Sequence, residues 1–184
     1  MSDVPVRIAA GVLMLLMIGG CDVLTGDSAP TPEGTPEPRV AAVAGGACQL
    51  LDFTLIEESI GVKFEISAAA QQDATYTCVV QRAGSSLPDL LLIVTPTTVD
   101  TPIFRNDLMP QGATLVTGLG KVGYHAVGKA GSGRGPIVEV SWLSANNRLM
   151  TLRYTTVAGT TPADATAFAA KLVTLAKKID QIGV

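Results

Sequence analysis

Residues 118–123 read GLGKVG and match G-x-G-x-x-G, the fingerprint of dinucleotide-binding proteins. That chemistry requires the glycines to end a strand and open a helix, whose N-terminus then holds the pyrophosphate. The next residues, YHAVGKAGSGRGP, include four further glycines and a proline, and each glycine inside a helix costs about 1 kcal/mol. We therefore expect no dinucleotide and no other cofactor. We predict that Gly118, Gly120 and Gly123 form tight turns between antiparallel strands.

No other spacing in the sequence assembles a catalytic set. Ser132 lacks the G-x-S-x-G context of a nucleophile, and His125, the single histidine, has no visible acid or nucleophile as partner. One histidine cannot complete the usual zinc ligands, so we expect no metal. Because no reactive set of residues can be assembled, we also expect no enzymatic activity. The side chains near the glycine motif that can contact an anionic or polar partner are Lys121, Tyr124, His125 and Arg134. The alternative is an ordinary solvated loop.

The N-terminus carries a candidate export signal. Arg7 precedes an eleven-residue apolar run, Ile8–Ile18. The run is shorter than the roughly 20 residues that span a bilayer, but it has the length of a signal-peptide apolar region. The Gly-Gly-Cys21 junction resembles the bacterial lipobox, whose cysteine takes a diacylglycerol and becomes the first residue after cleavage. The resemblance implies a lipoprotein signal peptide over residues 1–20. The alternative is a secretory signal with a chance cysteine.

Lipidation of Cys21 predicts where the protein works. Two acyl chains are sufficient for stable membrane attachment, whereas one is marginal. We therefore expect the protein to be anchored on the outer face of the bacterial cell membrane. The other two cysteines, Cys48 and Cys78, are then an even pair in an oxidising compartment and predict a disulfide. Neither belongs to a C-x-x-C motif, so a structural role is favoured over a redox role.

Composition divides the mature chain into a tether and a domain. Residues 21–45 are rich in Pro, Thr and Gly and predict an extended tether. Residues 46–184 are long enough for a single domain with its own core. The net charge is −3 and the basic residues are scattered, so we expect no nucleic-acid partner.

Local patterns in residues 46–184 predict an α+β domain. A T-x-x-E capping box at Thr54 and a stop at Gly61 indicate a short first helix over 54–59. Thr161 and Pro162 open a C-terminal helix with an apolar stripe. The stripe consists of Phe168, Leu172, Leu175, Ile179 and Ile182. Strand-like runs cover residues 75–81, 89–95, 113–117, 124–127, 137–143 and 149–157. We predict an antiparallel sheet of about four to six strands with the C-terminal helix packed on one face.

In this order, these features resemble a known group of proteins. The features are the lipobox, the tether, ACQLLDFTLIEESIG, a second cysteine in TYTC, a VTGLG turn, a hairpin and a terminal helix. The chain is similar to small actinobacterial cell-envelope lipoproteins of uncharacterised function, of mycobacterial and streptomycete type, and to extracellular sensor-type domains. The resemblance implies an envelope location, a paired Cys48 and Cys78 and an α+β fold, and it assigns no catalytic residue to this chain. The chain departs from it at Val79, Lys121 and Gly123.

Three functional classes remain at this point, and an enzyme is the weakest of them because no reactive set of residues can be assembled. The first is a non-enzymatic binding or accessory module, anchored to the membrane through Cys21, that recognises an envelope protein or lipid. The second is a carrier of an apolar ligand such as a lipid. A large apolar cavity between sheet and helix favours the carrier, whereas a filled core favours the binding module.

Overall fold

The computed structural model of the protein describes residues 45–183. The predicted signal peptide over 1–20, the lipidated Cys21 and the tether through residue 44 lie outside the described residues. After a 3-10 turn at Gly46–Leu50, the helices are α1 (Phe53–Ile60), α2 (Thr101–Ile103, continued by a π-helical turn at Phe104–Leu108) and α3 (Pro162–Ile182). The strands are β1 (Ile66–Gln72), β2 (Thr75–Arg82), β3 (Ser85–Pro96), β4 (Thr114–Val116), β5 (Val122–Val127), β6 (Ile137–Leu143) and β7 (Arg148–Thr155).

The strands form one antiparallel sheet in the order β1-β2-β3-β7-β6-β5-β4. The predicted α+β class, with the C-terminal helix against the sheet, is confirmed. The strand count of four to six is too low, because the sheet has seven strands. The strand that sequence patterning missed is β1, with the sequence ISAAAQQ. As an edge strand it is exposed along most of its length, so it lacks the apolar alternation by which a half-buried strand is recognised.

The C-terminal helix begins as predicted. The Thr161 side chain accepts a hydrogen bond from the Asp164 N–H, and Pro162 occupies the first turn. Three members of the predicted stripe are fully buried: Leu172, Leu175 and Ile179. Ile182, however, is 56% exposed. The buried face is instead completed by small residues, Ala165, Ala169 and Ala176, which let α3 lie close to the sheet.

The first helix forms where it was predicted but has a different cap. The carboxylate of Asp52 accepts the N–H groups of Thr54 and Leu55 at 2.9 and 3.0 Å. Thr54 is therefore inside the helix, and the predicted capping box at this residue is wrong. Gly61 ends the helix in the left-handed conformation, with φ of 73°, as the sequence indicated.

The predicted disulfide is present between Cys48 and Cys78. Their Cα atoms are 4.9 Å apart, and both residues are fully buried. The bond joins the 3-10 turn to β2, next to the sheet edge. It thereby holds the chain that enters α1 against the sheet.

The two faces of the sheet are covered differently. One face packs against the 3-10 turn, α1 and α3 in the main core cluster, which includes Trp142 and Leu152. On the other face, the segment over residues 97–113 covers the β4–β6 side, where Phe104 packs among Val122, Tyr124 and Leu143.

Candidate functional site

The glycine motif forms a turn that leads into a strand. Gly118 and Gly120 have φ values of 69° and 53°, and β5 follows from Val122. The expectation that no helix opens at these glycines is confirmed. A Cβ on Gly120 would collide with the carbonyl oxygen of Leu143 and lie 3.0 Å from the Trp142 ring. Gly120 is therefore required for packing of the turn against β6.

Asp180 of α3 holds the same turn in place. Its carboxylate accepts the Gly120 N–H at 3.1 Å and the Trp142 indole N–H at 2.8 Å. The N–H that a dinucleotide fingerprint would offer to a phosphate is thus bonded to a carboxylate of the protein. Asp180 thereby connects α3 to the turn and to Trp142 of β6, and we call this pair of hydrogen bonds the Asp180 bracket.

Gly123 has a different role from the one predicted. It lies in β5 rather than in a turn, so the turn prediction is wrong for this residue. A Cβ there would lie 3.0 Å from Leu119 and 3.1 Å from Trp142. The residue at position 123 has to be small because the Trp142 side chain occupies the space that a larger side chain would need.

The four side chains predicted to contact a partner are not brought together. Lys121 is exposed in the turn before β5, and its ammonium donates to the Asn147 side chain. Tyr124 is 5% exposed on the face away from α3, whereas His125 lies on the opposite face of the same strand. Arg134 lies in the loop after the far end of β5, and the strand itself spans about 20 Å at roughly 3.3 Å per residue. The alternation of a strand therefore separates residues that are close in sequence.

Tyr124 belongs to a polar network across three neighbouring strands. Its hydroxyl donates to Glu139 at 3.0 Å, and the other carboxylate oxygen of Glu139 lies 3.3 Å from Arg153. Burial, followed by the charge and hydrogen bond of Glu139, raises the pKa of Tyr124 to about 12. The hydroxyl therefore stays protonated near neutral pH and serves as a donor rather than a base.

A cavity of about 260 Å³ opens at one end of the sheet, beside the start of α3, and we name it the Tyr154 cavity. Its lining comes from the β2–β3 end, the end of β7 and the first turns of α3. The lining residues are Arg82, Pro88, Tyr154, Thr156, Val157, Thr160, Asp164, Ala165 and Phe168. The rings of Tyr154 and Phe168 pack with their centroids 4.3 Å apart. Burial is the main cause that raises the pKa of the Tyr154 hydroxyl. The charge of Arg82 lowers this pKa and the charge of Asp89 raises it, both by smaller amounts.

Charged groups stand at the mouth of this cavity. Arg82 is exposed, and its guanidinium has no hydrogen bond or ion pair within residues 45–183. Asp164 accepts the Thr161 hydroxyl at 2.7 Å through one carboxylate oxygen. No ion pair joins Arg82 to Asp164, although both line the cavity. Sequence reasoning missed this site because its residues come from separate elements and share no motif.

Other cavities are found at the opposite end of the sheet. One, of about 340 Å³, lies between the 3-10 turn and the strand ends near Tyr76 and Arg148. Another, of about 380 Å³, lies between the residues 97–101 loop and Lys121. Residues 45–183 contain no group of three or more side chains placed to hold a metal ion. Within the same residues, no helix combines the length and apolar character needed to cross a membrane.

The fold and these surfaces define a small disulfide-bonded α+β domain with an open sheet and shallow surface cavities. No family model matches the chain. No curated protein matches it either.

Proposed function

We propose that the protein is a non-enzymatic binding module of the bacterial cell envelope, anchored to the outer face of the membrane by a diacylglyceryl group on Cys21. The apolar run at Ile8–Ile18 and the Gly-Gly-Cys21 junction support the anchor. The Cys48–Cys78 disulfide supports an exported location, because disulfides persist in oxidising compartments.

The observation that carries binding rather than lipid transport is the packing between the sheet and α3. Val140, Leu152 and Leu172 are fully buried there and belong to one continuous cluster. The cavities described above lie at the sheet ends, open to solvent, and hold about 260–380 Å³. A carrier of two acyl chains needs an apolar cavity inside the core, which this packing does not favour.

Native mass spectrometry of the full-length protein extracted from its own membrane tests this proposal. We expect a mass that corresponds to the chain from Cys21 with its diacylglyceryl group, together with bound partner or ligand mass that is lost on mild activation. A non-lipidated mature chain would contradict the anchor. A phospholipid retained stoichiometrically beyond the anchor, and not released by the mild activation that removes a surface-bound ligand, would contradict the binding module and favour the carrier.

A further inference from the structure

We propose that the Tyr154 cavity binds a small zwitterion with an apolar group, namely a free α-amino acid with an apolar side chain. The inference rests on the proposed binding function and names a ligand class for it. It is carried by opposite charges and an apolar wall that line one cavity.

The charges favour a ligand that carries both signs. A guanidinium presents paired donors to a carboxylate, and Arg82 has no competing partner among residues 45–183. Asp164 offers a carboxylate oxygen to an ammonium, since the Thr161 hydroxyl occupies only the other oxygen. A purely anionic ligand would meet the Asp164 charge, and a purely cationic ligand would meet the Arg82 charge. A zwitterion satisfies both groups at once.

The remaining lining is suited to an apolar side chain. Tyr154, Phe168 and Pro88 contribute ring surfaces, and Ala165 and Val157 contribute methyl groups. The two threonine hydroxyls of the lining are already used: Thr156 donates to the Pro136 carbonyl and Thr160 to the Val157 carbonyl. The polar groups left for a ligand are therefore the two charged side chains and the Tyr154 hydroxyl.

The volume sets the size of the ligand. Pockets for drug-sized molecules hold about 300–1,000 Å³, and this cavity, at about 260 Å³, lies just below that range. An amino acid with one aromatic or branched side chain is of the right size. An acyl chain or a folded peptide is too large.

Three probes with the same phenyl group test the charge requirement on the full-length protein. L-phenylalanine carries both charges, 3-phenylpropanoate lacks the ammonium, and 2-phenylethylamine lacks the carboxylate. Isothermal titration and amide chemical-shift changes at Tyr154 and Phe168 report binding. We expect saturable binding of L-phenylalanine, with a Kd of about 1 mM or below. Each singly charged probe should bind at least about threefold more weakly.

Variants assign each charge to its residue. Asp164→Asn should weaken L-phenylalanine binding about threefold and leave 3-phenylpropanoate unchanged or slightly tighter. Arg82→Gln should weaken L-phenylalanine by a similar factor and spare 2-phenylethylamine. The matched controls are Asp107→Asn and Arg148→Gln, which remove the same charges from exposed side chains that do not line this cavity. We expect the controls to bind L-phenylalanine like the wild type.

Absence of saturable shifts at Tyr154 and Phe168, or equal affinity for all three probes, would overturn the zwitterion site. Equal effects of the site variants and their controls would do the same. These outcomes leave the native mass spectrometry result untouched, because that measurement reads the anchor and any retained partner. Failure of the ligand assignment and failure of the binding function are thus distinguishable.

Discussion

At the residue scale, the glycine motif shows that packing determines which small residues are required. Gly120 combines a positive φ with the close approach of the Leu143 carbonyl. Gly118 has a similar φ, but a Cβ there would meet only the Lys177 ammonium at 3.8 Å. A comparison of substitutions at Gly118 and Gly120 therefore distinguishes the effect of backbone strain from that of a steric collision.

Gly120→Ala should lower the free energy of unfolding by about 2–5 kcal/mol, since left-handed strain adds to overpacking. Gly118→Ala, the matched control, carries the strain alone and should lower it by about 1–2 kcal/mol. Urea unfolding followed by circular dichroism measures both. Equal losses in the two variants would show that the Leu143 contact does not matter.

Tyr124 predicts a dependence of stability on alkaline pH. Its pKa is raised from 10.0 to about 12 in the folded protein, so the folded state holds this proton more tightly than the unfolded chain. The resulting stabilisation is fully present below pH 10 and is lost as pH rises through about 12. Tyr124→Phe should make the free energy of unfolding less steep across this window. An unchanged slope from urea titrations at several pH values would contradict the assignment.

At the scale of elements, the disulfide and the Asp180 bracket join pieces that are distant in sequence. The Cys48–Cys78 bond has a sequence separation of 30 and fixes the 3-10 turn to β2. Asp180 fixes α3 to the residue 118–121 turn and to β6. Each of these interactions holds together two elements at the place where they are in contact.

Reduction of the disulfide should lower the free energy of unfolding by about 3–4 kcal/mol, as expected for loop closure of this length. The measurement is the urea midpoint with and without reductant. The Cys48→Ala/Cys78→Ala double variant should start at the lower midpoint and show no further response to reductant. If reductant lowered the urea midpoint of that variant as well, the loss of stability would not come from the Cys48–Cys78 disulfide.

Asp180→Ala should lower the free energy of unfolding by about 1–3 kcal/mol, because it leaves the indole N–H of the fully buried Trp142 without its acceptor. Trp142 is the chain's one tryptophan, so its emission spectrum should also change in the folded state. Lys171→Ala, an exposed change on the same helix, is the control and should alter neither quantity by much. Unaltered emission in Asp180→Ala would argue against the bracket.

At the scale of the whole molecule, the proposed function joins a membrane anchor to a domain with an edge cavity. The anchor prediction rests on Cys21, and the ligand prediction rests on Arg82 and Asp164. These two parts are independent, so each can be altered while the other is kept.

Cys21→Ser should prevent lipidation, so the protein is either released from the membrane or retains its signal peptide. Membrane fractionation with mass analysis of the N-terminus distinguishes the two forms. The Cys48→Ser/Cys78→Ser variant is the control and should remain with the membrane, since it keeps the anchor. A Cys21→Ser chain that has lost residues 1–20 and still partitions with membranes would contradict the lipoprotein assignment.

The sequence by itself determined the elements that carry strong local signals. Thr161, Pro162 and the apolar spacing in α3 identified that helix, because capping and periodicity depend on neighbouring residues alone. The α+β class followed from these patterns, and the disulfide followed from the even cysteine pair. The β1 strand did not, because its small exposed residues show no burial pattern before the sheet exists.

Only the tertiary structure decided what the chemically suggestive residues do. Asp180 reaches Gly120 across 60 residues of sequence, and no local pattern encodes that pairing. Strand alternation places Tyr124 and His125 on opposite faces, so their adjacency in sequence was misleading. Arg82 and Asp164 line one cavity because the last residue of β2 and the first turn of α3 lie at the same end of the sheet. Such sites depend on long-range packing, which brings together residues that the chain keeps apart.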